Sequence, residues 1–100
     1  MIKSVLRRGL SANGSFFRIK FFRQLPADKS HFKIIVGKKV SNLATTRNRI
    51  RRRSRAVFEE VLRGVGGFSI IVFPSFEVKD APFDQLRKDA EHCLKKLLSG

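Results

Sequence analysis

Between Lys38 and Arg55 the chain reads KKVSNLATTRNRIRRRSR, eight Lys or Arg residues and no acid. Few folds can accommodate such a run. A loose basic tail has no apolar period, but here Ile50, Val57, Phe58 and Val61 line one helical face, with Ser54 inside the stripe. The pattern predicts a helix from about Thr46 to Arg63, with Thr45 or Thr46 capping its start and Gly64 stopping it. Six guanidiniums between Arg47 and Arg55 then stand on the solvent side, anchored by the stripe below. Their mutual repulsion opposes compaction of the isolated domain. A fixed guanidinium array matches a fixed phosphate array, which points to a structured nucleic acid and first to RNA.

On a helical wheel Asn48, Arg51, Arg52 and Arg55 share one face, at offsets of three, four and seven. Arg49 and Arg53 form a pair on the opposite flank. Arg donates in a planar fork suited to phosphates and to stacking on bases. Asn48 both donates and accepts, so it can fix a base edge, a 2′-hydroxyl or a neighbouring backbone group. Lys38 and Lys39 follow a strand and extend the positive surface past the helix start. Two plainer readings compete. A solvated charged face is one, but no acid in the run supplies i,i+4 partners. A localisation signal is the other, but such signals are exposed and flexible, and this run lies on a helix with a core face.

One hundred residues make a single domain, with residues 1–14 as a basic arm. The formal charge of +14 favours a polyanionic partner, and the apolar share of 42% supports a packed core. Asp28 is the only acid before Glu59, so one end or face is strongly positive. Cys93 is the single cysteine, which excludes an intrachain disulfide and a Cys/His zinc site and suits a reducing compartment. No apolar run approaches the ~20 residues of a membrane span. Residues 1–27 carry six basic residues and no acid. That composition fits an organelle transit peptide, or a basic arm followed by a first strand.

Residues 2–8 read as a helical turn or arm, and Gly9 and Asn13-Gly14 mark a turn. Phe16 to Arg23 reads as a strand with Phe17, Ile19 and Phe21 on one face and Phe16, Arg18, Lys20 and Phe22 on the other. Pro26 to Ser30 is a loop, and His31 to Gly37 is a second strand, antiparallel to the first. After the basic helix, Gly66-Gly67 leads into the apolar strand Phe68 to Phe73, which belongs at the centre of a sheet and ends at Pro74. Residues 75–81 form a loop. A last helix runs from Pro82 to about Leu98, burying Phe83, Leu86, Ala90, Cys93, Leu94 and Leu97. The order β-β-α-β-α gives an α+β fold, a small mixed or antiparallel sheet with two helices packed on it.

Phe16, Arg18, Lys20 and Phe22 interleave rings with cations, the pattern of a single-strand stacking platform. The alternative packs Phe16 and Phe22 under the last helix. Catalytic candidates are poor. His31 and His92 lack partners at useful spacing, and Glu59 and Glu60 are placed to pair with Arg63 or Arg55. No metal cluster, phosphate loop or nucleophile motif is present in the sequence.

The stretch IIVGKKVSNLATTRNRIRRRSRAVFEEVL, Ile34 to Leu62, resembles the protein subunit of bacterial ribonuclease P. The likeness continues through FSIIVF and the last helix, covering roughly Phe16 to Leu98. The Arg47-Asn48-Arg49 triplet with its Lys-Lys prelude carries most of its specificity. The resemblance implies a fold like the second domain of ribosomal protein S5, with a left-handed β-α-β crossover against the usual preference. It implies a non-catalytic subunit that binds the catalytic RNA subunit and the 5′ leader of precursor tRNA. Leader removal is then magnesium-dependent and performed by the RNA, in a bacterial cytoplasm, with no cofactor or small molecule held by the protein alone.

By position, Lys38, Lys39, Arg47, Asn48, Arg49, Arg51, Arg52 and Arg55 carry over as RNA contacts, and Phe16, Arg18, Lys20 and Phe22 as the leader cleft. The chain departs from the family pattern in its loop, which replaces the usual glycine around Ser41-Asn42 and is longer by about one residue. It also places only about a dozen residues before Phe16, where the family begins with a helix. A structural RNA-binding protein, such as a small ribosomal protein, is the alternative. A DNA-binding protein is weaker, since no helix-turn-helix spacing is present.

Overall fold

The computed structural model describes residues 11–24, 30–63 and 67–99, with the backbone alone at 22–24, 30, 98 and 99. The expected turn at 2–8, Gly9, most of the loop from Pro26 to Ser30, the Gly64 stop and Gly66 lie outside the described residues. The elements are β1 (Ser11–Asn13), β2 (Phe17–Gln24), β3 (Ser30–Ile34), α1 (Ala44–Val61), β4 (Phe68–Pro74) and α2 (Phe83–Ser99). A 3-10 turn at Phe76–Lys79 joins β4 to α2. The sheet order is β1-β2-β4-β3. β2 runs antiparallel to β1 and β4, whereas β3 runs parallel to β4. The fold is α+β, a mixed sheet with both helices on one face.

Several local expectations are corrected. The two long N-terminal strands do not pair with each other: each pairs with β4. β4 is the most apolar strand, and the central place gives its backbone two partners while its alternate residues Phe68, Ile70, Val72 and Pro74 are buried. α1 then serves as the crossover that a parallel pair needs. β3 stops at Ile34, with one further rung from the Ile35 amide to the Val72 carbonyl at 2.9 Å. Neither Thr45 nor Thr46 caps α1. The N-cap is Leu43, in extended conformation, and no side chain bonds the free amides. Residues 11–13 of the expected arm form a strand on β2. The 75–81 loop contains the 3-10 turn, with Val78 buried under α1.

The core lies between sheet and helices. Phe17, Ile19 and Phe21 from β2, Ile34 from β3 and Ile70 and Val72 from β4 meet Ile50, Val57 and Phe58 of α1 and Leu86, Ala90, Cys93, Leu94 and Leu97 of α2. The Phe17 and Phe58 rings meet edge to face, 5.0 Å between centroids at 84°. Such a pair contributes about 1 kcal/mol beyond its burial. Phe32 tilts onto the same Phe58 ring at 6.1 Å. The expected stripe thus holds α1 down, and this fixes the direction of its arginines. Glu60 pairs with Arg87 of α2 at 3.2 Å, not with Arg63 or Arg55. Phe83 is 37% exposed, not buried as its place in the apolar stripe predicts. Among the described residues no helix is long and apolar enough to cross a membrane.

Candidate nucleic-acid interface

α1 is 18 residues long, about 27 Å of rigid support. Its outer face carries the basic residues, and each has a distinct setting. Asn48, Arg51 and Arg52 line a groove of about 410 Å3 together with Thr45. The Arg51 Nη1 donates to the Asn48 Oδ1 at 2.7 Å, which pre-orients both groups. Arg52 and Arg55 are exposed. Lys38 and Lys39 are exposed in the turn after β3, closed by the Val40 amide donating to the Gly37 carbonyl at 3.0 Å.

Two of the sequence-derived contacts also bond main-chain carbonyls of this chain. Arg47 Nη1 donates to the carbonyls of Ser41 at 2.9 Å and Asn42 at 3.1 Å, tying α1 to the loop before it. The Ser41 hydroxyl accepts the Leu43 amide at 3.2 Å, which tightens the same loop. Arg49 Nε donates to the Lys79 carbonyl at 2.8 Å, and its Nη2 lies 3.9 Å from Asp80. Arg53, also on that flank, donates Nε to the Val78 carbonyl at 2.8 Å and Nη2 to the Ala81 carbonyl. The Arg49/Arg53 pair therefore sits on the opposite flank, as the wheel predicts, and clasps the 3-10 turn. A hydrogen bond from Lys79 and the charges of Lys79, Arg49 and Arg53 hold the Asp80 carboxyl below its ordinary pKa.

A second basic surface lies on the sheet face turned away from the helices. Arg18 and Lys20 are exposed there, while Phe17 and Ile19 point to the core. The Arg18 guanidinium stacks 4.6 Å over the Phe73 ring of the adjacent strand. Register places Lys20 and Lys33 on either side of Ile71. Phe16 stands at the head of β2, half-buried, and lines a separate groove beside Phe76. The Phe22 side chain lies outside the described residues. Sequence reasoning missed His31, Lys33 and Phe73 on this face. Their signal was the alternation of His31 and Lys33 with Phe32 and Ile34, masked by the apolar run that follows. Among the described residues no three His, Cys, Asp or Glu side chains gather as a metal site would need.

Residues 1–98 match the family model for Ribonuclease P. A ribonuclease P protein component of Pseudanabaena sp. is 30% identical over 93 residues, covering 92% of this chain and 80% of that protein. One from Thermus scotoductus is 34% identical over 91 residues, which are 91% of this chain and 52% of that longer protein. In fold, the RNase P protein from Thermotoga maritima superposes with a TM-score of 0.74 at 29% identity, covering 94% of this chain and 88% of that one. The Staphylococcus aureus RNase P protein gives 0.66 at 25% identity, with 94% and 85% covered. The match begins at residue 1, further upstream than the motifs around Arg47 alone indicate. The chain belongs to the ribonuclease P protein component family, the RNA-associated protein subunits of the enzyme that processes tRNA.

Proposed function

We propose that the outer face of α1 docks on the RNA subunit of ribonuclease P, and that the open sheet face holds the 5′ leader of precursor tRNA. The observation that carries this reading is the fixed, acid-free group of Asn48, Arg51, Arg52 and Arg55 on a core-anchored helix, with Lys38 and Lys39 beside it. The rigid helix spares the backbone ordering cost of binding, and each planar guanidinium fork can bond a phosphate bidentately. Arg47 and Arg49 serve the same surface indirectly, by fixing the helix start and its flank. On the sheet, Arg18 over Phe73 and the lysines around Ile71 combine a backbone-tracking charge with surfaces on which bases stack.

The RNA subunit performs the phosphodiester hydrolysis, with magnesium held by RNA oxygens. In this reading no step runs through a metal held by the protein. The protein lowers the repulsion between substrate and RNA, and so raises substrate affinity and metal occupancy. The bacterial cytoplasm is the compartment in which this complex acts.

Reconstitution tests the reading. The chain, added to a bacterial ribonuclease P RNA, is expected to stimulate precursor tRNA cleavage at low magnesium. Unchanged cleavage, with equal affinity for unrelated RNA, would instead support a structural RNA-binding protein.

A further inference from the structure

Phe83 opens α2 in line with Leu86, Ala90, Cys93, Leu94 and Leu97, all buried, yet its own ring is 37% exposed. It forms the aromatic wall of a concavity of about 240 Å3 whose other walls are Ala56, Arg49, Arg52 and Arg53. None of the five lining residues is acidic.

The site is held in place. Arg49 and Arg53 are fixed from behind by the carbonyls of Lys79 and Val78, each at 2.8 Å. Arg52 belongs to two concavities at once, lining both this one and the groove of Thr45, Asn48 and Arg51. A strand following the polar groove therefore reaches the aromatic one across a single side chain.

We propose that this concavity receives an unstacked nucleobase of the RNA bound on α1, with Phe83 as its stacking surface and Arg52 on a flanking phosphate. Arg52, with Arg53 and an Arg49 shared with Asp80, favours a polyanion, and an exposed ring favours a planar partner; a nucleotide meets both demands. The groove at Phe76 is the contrasting case. It is larger, about 450 Å3, and also aromatic, but two acids, Glu77 and Asp80, line it against the single cation Lys79, which disfavours phosphate. The RNA-binding surface thus extends from α1 onto the first turn of α2. This inference rests on the RNA reading of α1.

The chain contains no Trp and no Tyr, so Phe83→Trp installs a unique emitter. The probe is a bacterial ribonuclease P RNA transcript. On saturation, Phe83→Trp emission is expected to be quenched by stacking, while Phe76→Trp emission is not. Phe83→Leu keeps apolar bulk but loses the π face. It is expected to weaken binding about tenfold with an unchanged salt slope. Unquenched Phe83→Trp with RNA bound, equal quenching at both positions, or wild-type affinity in Phe83→Leu would each overturn the proposal. A wild-type chain that does not bind the transcript would remove the RNA reading of α1 itself, and this inference with it.

Discussion

Asp89 of α2 occupies the space beside Gly14 that any larger residue would need: a Cβ on Gly14 would stand 2.7 Å from the Asp89 Cγ. The carboxylate uses this closeness to accept three backbone amides in succession, from Ser15 at 2.7 Å, Phe16 at 2.9 Å and Phe17 at 3.1 Å. One acid thereby secures the β1–β2 turn to the last helix. Asp89→Ala leaves those amides without their acceptor and is expected to cost about 2–3 kcal/mol. Gly14→Ala is expected to destabilise by about 1–3 kcal/mol through overpacking. Urea unfolding midpoints check both.

The arginines divide into clamps and contacts. Arg53→Ala strips donors from the half-buried carbonyls of Val78 and Ala81 and is expected to cost about 1–3 kcal/mol in stability. Arg52→Ala removes an exposed side chain and should shift stability by less than about 0.5 kcal/mol. Its effect falls on RNA binding, where the salt slope should drop by about one. Thermal melts alongside binding titrations separate the two roles.

That division marks the limit of what the residues alone could tell. The stripe through Ile50, Val57 and Phe58 was legible because burial repeats at a helical period, and the acid-free run above it was legible as a surface. Nothing in the spacing distinguishes Arg47, which folds back on its own loop, from Arg52, which faces solvent. Arg49 and Arg53 were placed on their flank by the wheel, but their acceptors are main-chain carbonyls some 25 to 30 residues away. The β2–β3 pairing failed for a similar reason. Proximity in sequence favours a hairpin, whereas the apolar β4 competes for both strands and arrives later in the chain. Phe83 matched the period of α2 but begins the helix, where the flank of α1 leaves its ring uncovered.

The Ser54 hydroxyl is fully buried and meets no hydrogen-bond partner among the described residues. Removing an unsatisfied polar group removes its desolvation cost. Ser54→Ala is therefore expected to leave stability unchanged or to raise it by up to about 1 kcal/mol, read from the urea midpoint.

Burial, reinforced by the charge of Asp89, pushes the Cys93 thiol up from 9.0 to about 11. Its Sγ lies 3.8 Å from the Phe17 carbonyl, which accepts a hydrogen bond from the thiol. The folded state thus holds this proton more tightly than the unfolded chain does. Its contribution to stability is complete below pH 9 and is lost as pH rises through about 11. Iodoacetamide should leave the folded chain unmodified at pH 8 and react at once when urea unfolds it.

The salt dependence of binding to a bacterial ribonuclease P RNA decides whether the outer face of α1 is the RNA contact. Wild type is compared with a variant carrying Lys38→Ala, Arg52→Ala and Arg55→Ala, three exposed positions on the proposed surface. Weaker binding and a log–log slope reduced by about two to three are expected, with urea stability unchanged. A variant that binds as tightly as wild type, with the same slope, would contradict an RNA contact on that face.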